Sequence, residues 1–142
     1  MSFENMKQIQ QVNVHERSCM MLYQFSKEET RQIMNVARMT GIKDFIELKP
    51  SYGQCTLREI LDQKQEEGEE TKVREKTLIL NHIAPARMNM FIDGLKKCRL
   101  RRPIIAVVTE QSIEWKLENL LVNLVNERAA VRSGEFNRHE GE

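Results

Sequence analysis

"CMMLYQFSKEETRQIMNVARMTGIKDFIEL", residues 19–48, reads as strand, helix, strand. The run from Cys19 to Phe25 is apolar and strand-like. Ser26 and Glu29 then form a capping box, in which a hydroxyl and a carboxylate each satisfy an amide of the opening turn. The helix they start places Thr30, Ile33, Met34 and Ala37 on one face. It stops at Gly41, a residue free to take the left-handed conformation that ends helices. "DFIEL" (44–48) is the second strand. After "KPSYGQC" (49–55), whose Pro50 and Gly53 are turn residues, Thr56 and Glu59 make a second capping box, opening "LREILDQKQ" (57–65).

The same order returns downstream. "TLILNHI" (77–83) is a strand, and Pro85 stands in a helix's first turn, where its missing N–H costs nothing. Met88, Phe91, Ile92, Leu95 and Cys98 form an amphipathic stripe. "PIIAVVT" (103–109) is a fourth strand. A last helix buries Ile113, Leu117, Leu120, Leu121, Leu124 and Val125, with Ser112 as its N-cap. Setting Cys19 against Thr77 aligns Leu22 with Leu80, Phe25 with Ile83 and Ile33 with Phe91. Two extra residues then bring Leu57, Ile60 and Leu61 onto Leu117, Leu120 and Leu121. The expectation is one α/β domain over 17–131 made of two similar βαβα halves, 17–62 and 76–131. Between them, 62–76 is a charged linker or an extension of the second helix, and the ends 1–16 and 132–142 read as mobile.

Short βαβ crossovers imply parallel strands with right-handed connections. If the halves meet along their first strands, the sheet order is 2-1-3-4, and a small, parallel, doubly wound sheet follows with helices on both faces. Open α/β sheets bind ligands beyond the carboxyl ends of the strands, where the order reverses. That rule gives a candidate crevice with Gln24, Asn81 and His82 at its centre and Lys49, Thr109 and Glu110 on its rim. The ordinary reading of "TEQS" (109–112) is a turn and a helix cap, and a lone His82 is ordinarily satisfied by a neighbouring hydrogen bond.

Charge and composition exclude more than they assign. Formal net charge is +1, so no long-range field marks a partner, and any charge-driven function must be local. No stretch approaches the roughly 18 apolar residues of a membrane span, and residues 1–18 lack the apolar core of a signal peptide; a cytoplasmic protein is the expectation. Cys19, Cys55 and Cys98 are far apart with no CxxC, so neither a disulfide framework nor a zinc site is encoded. Cys55 precedes a helix start, the place where a thiol can become reactive. Phosphate-loop, metalloprotease and hydrolase motifs are missing, and the six glycines of the chain are unclustered. "KKCRLRR" (96–102) is the one basic patch, with Lys96, Lys97, Arg99, Arg101 and Arg102; its blander reading is complementation of a helix C-terminus.

"PIIAVVTEQSIEWKLENLLVNLVNE" (103–127) resembles the signature of a bacterial family known only as domain of unknown function 3783. The likeness lies in an apolar strand ending at Thr109, Trp115 six residues later, and a Leu-rich helix running to Glu127. It covers about residues 76–128 and reaches the first half only through the internal repeat. Members often carry Asn where Ser112 stands, and both residues cap helices. With no activity assigned to the family, the resemblance implies no catalytic residue.

Three functions are compatible with these features. The leading one is a non-catalytic binding or protein-interaction domain that self-associates or meets a protein partner; eight methionines suit adaptable surfaces. The second is a small-molecule sensor or enzyme using the crevice. The third is weak nucleic-acid binding through the 96–102 patch. No cofactor and no metal is expected.

Overall fold

The computed structural model describes residues 14–141. Most of the 1–16 segment expected to be mobile therefore lies outside the described residues. Four strands, β1 (Cys19–Tyr23), β2 (Phe45–Leu48), β3 (Thr77–Asn81) and β4 (Ile104–Val107), form one sheet in the order β2-β1-β3-β4. Among the described residues four α-helices accompany them: α1 (Lys27–Met39), α2 (Leu57–Leu61), α3 (Pro85–Lys96) and α4 (Leu117–Gly141). Short 3-10 turns, Pro50–Tyr52 and Ser112–Glu114, precede α2 and α4.

Local chemistry sets the helix boundaries. Both capping boxes form: Glu29 N donates to Ser26 Oγ at 3.1 Å and Glu59 N to Thr56 Oγ1 at 3.1 Å, with the return bonds to Glu29 and Glu59 carboxylates also made. Gly41 has φ +97° directly after α1, where the amide of Ile42 reaches back to the carbonyl of Ala37 at 3.0 Å. In α3 a Cβ on Gly94 would lie 2.8 Å from Val36 Cγ1, so glycine permits the close approach of α1 and α3.

Strand alternation then divides the apolar residues between two layers. Met20, Leu22, Leu78 and Leu80 pack against Ile33 and Ala37 of α1 and Phe91 and Leu95 of α3. Cys19, Met21, Tyr23 and Ile79 face the other way, onto Leu57, Ile60 and Leu61 of α2 and Leu117, Leu120 and Leu121 of α4. Every residue of β1 and β3 is buried. Burial pushes the Cys19 thiol up to about 12, which removes it from thiolate chemistry.

The strand order is as expected, but the direction is not. β1 pairs with β2 and β3 with β4 in parallel, whereas β1 and β3 are antiparallel, with Cys19 opposite Asn81 and Tyr23 opposite Thr77. The sheet is mixed rather than all parallel. The cause lies in residues 49–76. α2 has five residues, about 7.5 Å of helix, too short to carry the chain back along a sheet whose strands span about 14 Å. Residues 62–76 are irregular and stay near the end where β2 finishes: Thr71 N donates to Pro50 O at 3.1 Å, Gly68 N to Ser51 O at 2.9 Å, and Tyr23 Oη to Val73 O at 2.5 Å. The chain therefore enters β3 from the end at which it left β2. Reversing strand direction together with the lateral direction of the crossover keeps a right-handed connection on the same face, so α1 and α3 share one face instead of covering opposite ones.

The last helix also begins later than expected. Ser112 opens the 3-10 turn, and α4 starts at Leu117 and continues to Gly141, taking in residues 132–141. Reciprocal backbone bonds join the starts of α2 and α4: Leu57 N donates to Trp115 O at 3.1 Å and Leu117 N to Cys55 O at 2.8 Å.

One ion pair at the amino ends of β1 and β2 makes stability depend on pH. Arg17 Nε donates to Asp44 Oδ2 at 2.7 Å and Nη2 to Oδ1 at 3.1 Å, and this hydrogen bonding holds the Asp44 carboxyl below its ordinary value of 3.8. A depressed carboxyl contributes stability that is present above its unfolded pKa and lost as pH falls through its folded one. Asp44→Asn is expected to lower the urea midpoint at neutral pH, with the gap to the parent protein closing as pH drops below about 3.8. A gap of constant size across that range would contradict the assignment.

Candidate functional site

The antiparallel pairing of β1 with β3 separates the six crevice residues into two groups at opposite ends of the sheet. Gln24 and Lys49 follow β1 and β2 at one end. Asn81 ends β3, His82 follows it, and Thr109 and Glu110 follow β4 at the other end, about 14 Å away along the strands.

At the second end the polar groups are occupied with structure. Buried Asn81 donates through Nδ2 to Arg17 O at 2.7 Å and to His15 O at 3.4 Å, and His82 Nδ1 lies 2.9 Å from Glu16 O. Together they clamp the backbone of residues 15–17. His15 in turn places Nε2 2.8 Å from Asp62 Oδ1, so a residue with no sequence signal joins the segment before β1 to the end of α2. His82 itself is exposed, and it and Gln24 both have positive φ, 55° and 69°. Thr109 and Ser112 bond one another: Thr109 N and Oγ1 reach Ser112 Oγ at 2.9 and 3.0 Å, and Ser112 N donates to Thr109 Oγ1 at 3.0 Å. "TEQS" is a closed turn, with Glu110 exposed beside it.

At the first end Lys49 is exposed, 3.7 Å from a Glu67 carboxylate oxygen and over the ring of Tyr52. Cys55 is buried, its Sγ 3.1 Å from Glu66 O, an environment that fixes the thiol in place. Among the described residues no group of three His, Cys, Asp or Glu is arranged to hold a metal ion.

A cleft of about 660 Å³ opens at this first end, in front of the amino termini of β3 and β4. Three separate stretches bring cations to it: Arg74 and Lys76 before β3, Arg101 and Arg102 before β4, and Arg128 and Arg132 on α4. Ile104, Val125 and Ala129 are the apolar members of its lining, and among the described residues Glu75 is the one carboxylate there. Arg128 and Arg132 are four positions apart, which puts both on one side of α4 a turn from each other. Arg128 Nη2 donates to Arg102 O at 3.0 Å, tying the helix to the loop before β4. Lys76 Nζ pairs with Glu29 Oε2 at 2.5 Å, and that bond, ahead of the one from Ser26 N, lowers the Glu29 carboxyl. Among the described residues no carboxylate forms an ion pair with Arg74, Arg101, Arg102, Arg128 or Arg132. Packing six cations around one cavity, with only Lys76 of them ion-paired among the described residues, concentrates positive potential there in a chain of net charge +1.

Sequence reasoning found Arg101 and Arg102 through the basic run. Lys96, Lys97 and Arg99 of that run lie outside the cleft, exposed at the end of α3 and in the loop beyond it. Arg74, Lys76, Arg128 and Arg132 were missed, because the crevice rule looks to the carboxyl ends of the strands and these residues meet at the amino ends of β3 and β4. The i, i+4 spacing of Arg128 and Arg132 in the last helix was a signal available for that pair alone.

Among the described residues no helix is long and apolar enough to cross a membrane. No curated protein and no solved structure matches the chain. Residues 76–131, which carry β3, α3, β4 and α4 as far as Val131, match the model of a family described as a domain of unknown function (DUF3783), in agreement with the resemblance read from the sequence.

Proposed function

We propose that the protein is a cytoplasmic, non-catalytic binding domain that takes an anionic ligand in the basic cleft before β3 and β4. The observation that carries this reading is the convergence of Arg74, Lys76, Arg101, Arg102, Arg128 and Arg132 on one cavity, with Glu29 paired to Lys76 and Glu75 the one carboxylate of the lining among the described residues. Guanidinium forks match carboxylate and phosphate oxygens, and an array of them is costly to keep together unless an anion relieves the repulsion.

A relation between two halves of the chain also supports it. The antiparallel β1–β3 pair centres on Met21 opposite Ile79, with β2 and β4 flanking it in parallel, and the bonds between the starts of α2 and α4 are reciprocal. Such an arrangement fits two related βαβα units about a twofold axis normal to the sheet. At the amino ends of β1 and β2 in the first unit, Arg17–Asp44 and His15–Asp62 close the surface. At the amino ends of β3 and β4 in the second, the same region is open and basic. One unit has a structural ion-pair cluster where the other has the candidate site.

The test is calorimetric titration with tripolyphosphate, alongside sodium chloride at matched ionic strength. Binding is expected for the phosphate alone, weakened about tenfold or more in Arg101→Glu/Arg132→Glu. Glu29→Gln keeps the capping box, since Gln serves at that position, but frees Lys76, so it is expected to tighten binding. Equal heats from the two salts, or indifference to Arg101→Glu/Arg132→Glu, would refute the reading.

A further inference from the structure

We infer that the cleft and the adjoining run Lys96 to Arg102 together hold the sugar–phosphate backbone of a nucleic acid, without regard to base sequence; the inference rests on the anion-binding reading above. Two features select this class among anions. First, cavities that grip a small polyphosphate surround it with backbone amides from a glycine loop or a helix N-terminus. Among the described residues this cleft has neither: no glycine lines it, and α4 presents residues from its body, Val125 to Arg132, more than a turn beyond its start at Leu117. Its donors are long side chains from three chain segments, suited to an extended string of phosphates. Second, the positive surface does not end at the cavity. Arg101 and Arg102 line it, and Arg99, Lys97 and Lys96 continue along the chain from them, all exposed and none ion-paired among the described residues. A compact anion would fill the cavity and leave that track unused.

Base readout is not part of the design. Among the described residues the lining carries no aromatic side chain on which bases could stack, and its apolar members, Ile104, Val125 and Ala129, offer a surface without directional groups. Contacts confined to phosphates give affinity with steep salt dependence and little sequence preference.

Fluorescence anisotropy with a mixed-sequence RNA of about twenty nucleotides, over a salt series, tests the inference. If about five phosphates are neutralised, log K is expected to fall against log salt with a slope of about −3.5. Lys96→Glu/Lys97→Glu/Arg99→Glu, all at exposed positions, is expected to reduce the slope by about 2 while leaving tripolyphosphate affinity unchanged. Arg101→Glu/Arg132→Glu is expected to weaken both ligands. Circular dichroism of each variant checks that the fold is kept. If tripolyphosphate binds and the RNA does not, or if the track variant leaves RNA binding and its slope untouched, the nucleic-acid inference is overturned while the cleft reading stands. If neither ligand binds, both are overturned.

Discussion

Replacing Phe91 by Ala is expected to lower the unfolding free energy by about 3–5 kcal/mol, measured by urea denaturation followed by circular dichroism. Phe91 is fully buried at the centre of the layer formed by α1, α3 and the sheet, with Leu78, Leu80, Ile33 and Ala37 in the same cluster. The loss has two parts, the transfer free energy of the ring and the cavity left by neighbours that cannot collapse fully into its place. Collapse is restricted here because Gly94 already brings α1 and α3 to their closest approach, with Val36 against its backbone. Phe91→Leu, which keeps most of the volume, is expected to recover most of the stability. A loss below about 1 kcal/mol for the Ala variant would mean that this layer is much less tightly packed than described.

On the opposite face, Leu117→Ala is expected to cost about 2–5 kcal/mol. Leu117 has no exposed surface, and its backbone amide closes one of the two reciprocal bonds between α2 and α4. Leu57 stands in the matching place on α2, also fully buried and in the same cluster. The two residues flank the bridge between Thr56 and Lys116, so their effects should couple. The double variant Leu57→Ala/Leu117→Ala is expected to deviate from additivity by about 0.5–3 kcal/mol. Phe91→Ala and Leu117→Ala, separated by the sheet, should instead add within about 0.5 kcal/mol. Additivity in both pairs would argue against direct packing at the junction of the two helices.

Much of this architecture was legible in the residues. Ser26/Glu29 and Thr56/Glu59 announce their helices because a capping box is a local exchange of hydrogen bonds, set by four consecutive residues. The stripes through Ile33, Phe91 and Leu117 identify buried faces because the helical period is fixed. Strand direction is different. A fully buried run such as "TLILN" has the same appearance whether its neighbour runs with it or against it, and the choice is made by the length and anchoring of the preceding segment. Here the five residues of α2 and the bonds from Thr71, Gly68 and Tyr23 decide it. The candidate site has a limit of its own. Arg101 and Arg102 stand in a visible run, whereas Arg74 and Arg132 are isolated charges that meet only where α4 packs beside the amino ends of β3 and β4.

The irregular segment 62–76 also bears on how the sheet is assembled. β1–β2 and β3–β4 each join strands separated by a single helix, but β1–β3 encloses everything from Gln24 to Lys76. That closure is the non-local step of the topology, and its entropic penalty grows only with the logarithm of the enclosed length, about 0.6 kcal/mol for each doubling. Insertions among the exposed residues Glu66 to Glu70 therefore add little to the penalty, provided the anchors at Thr71 and Val73 remain. The length of this connection is thermodynamically cheap to vary, and the direction of β3 depends on where the connection is fastened.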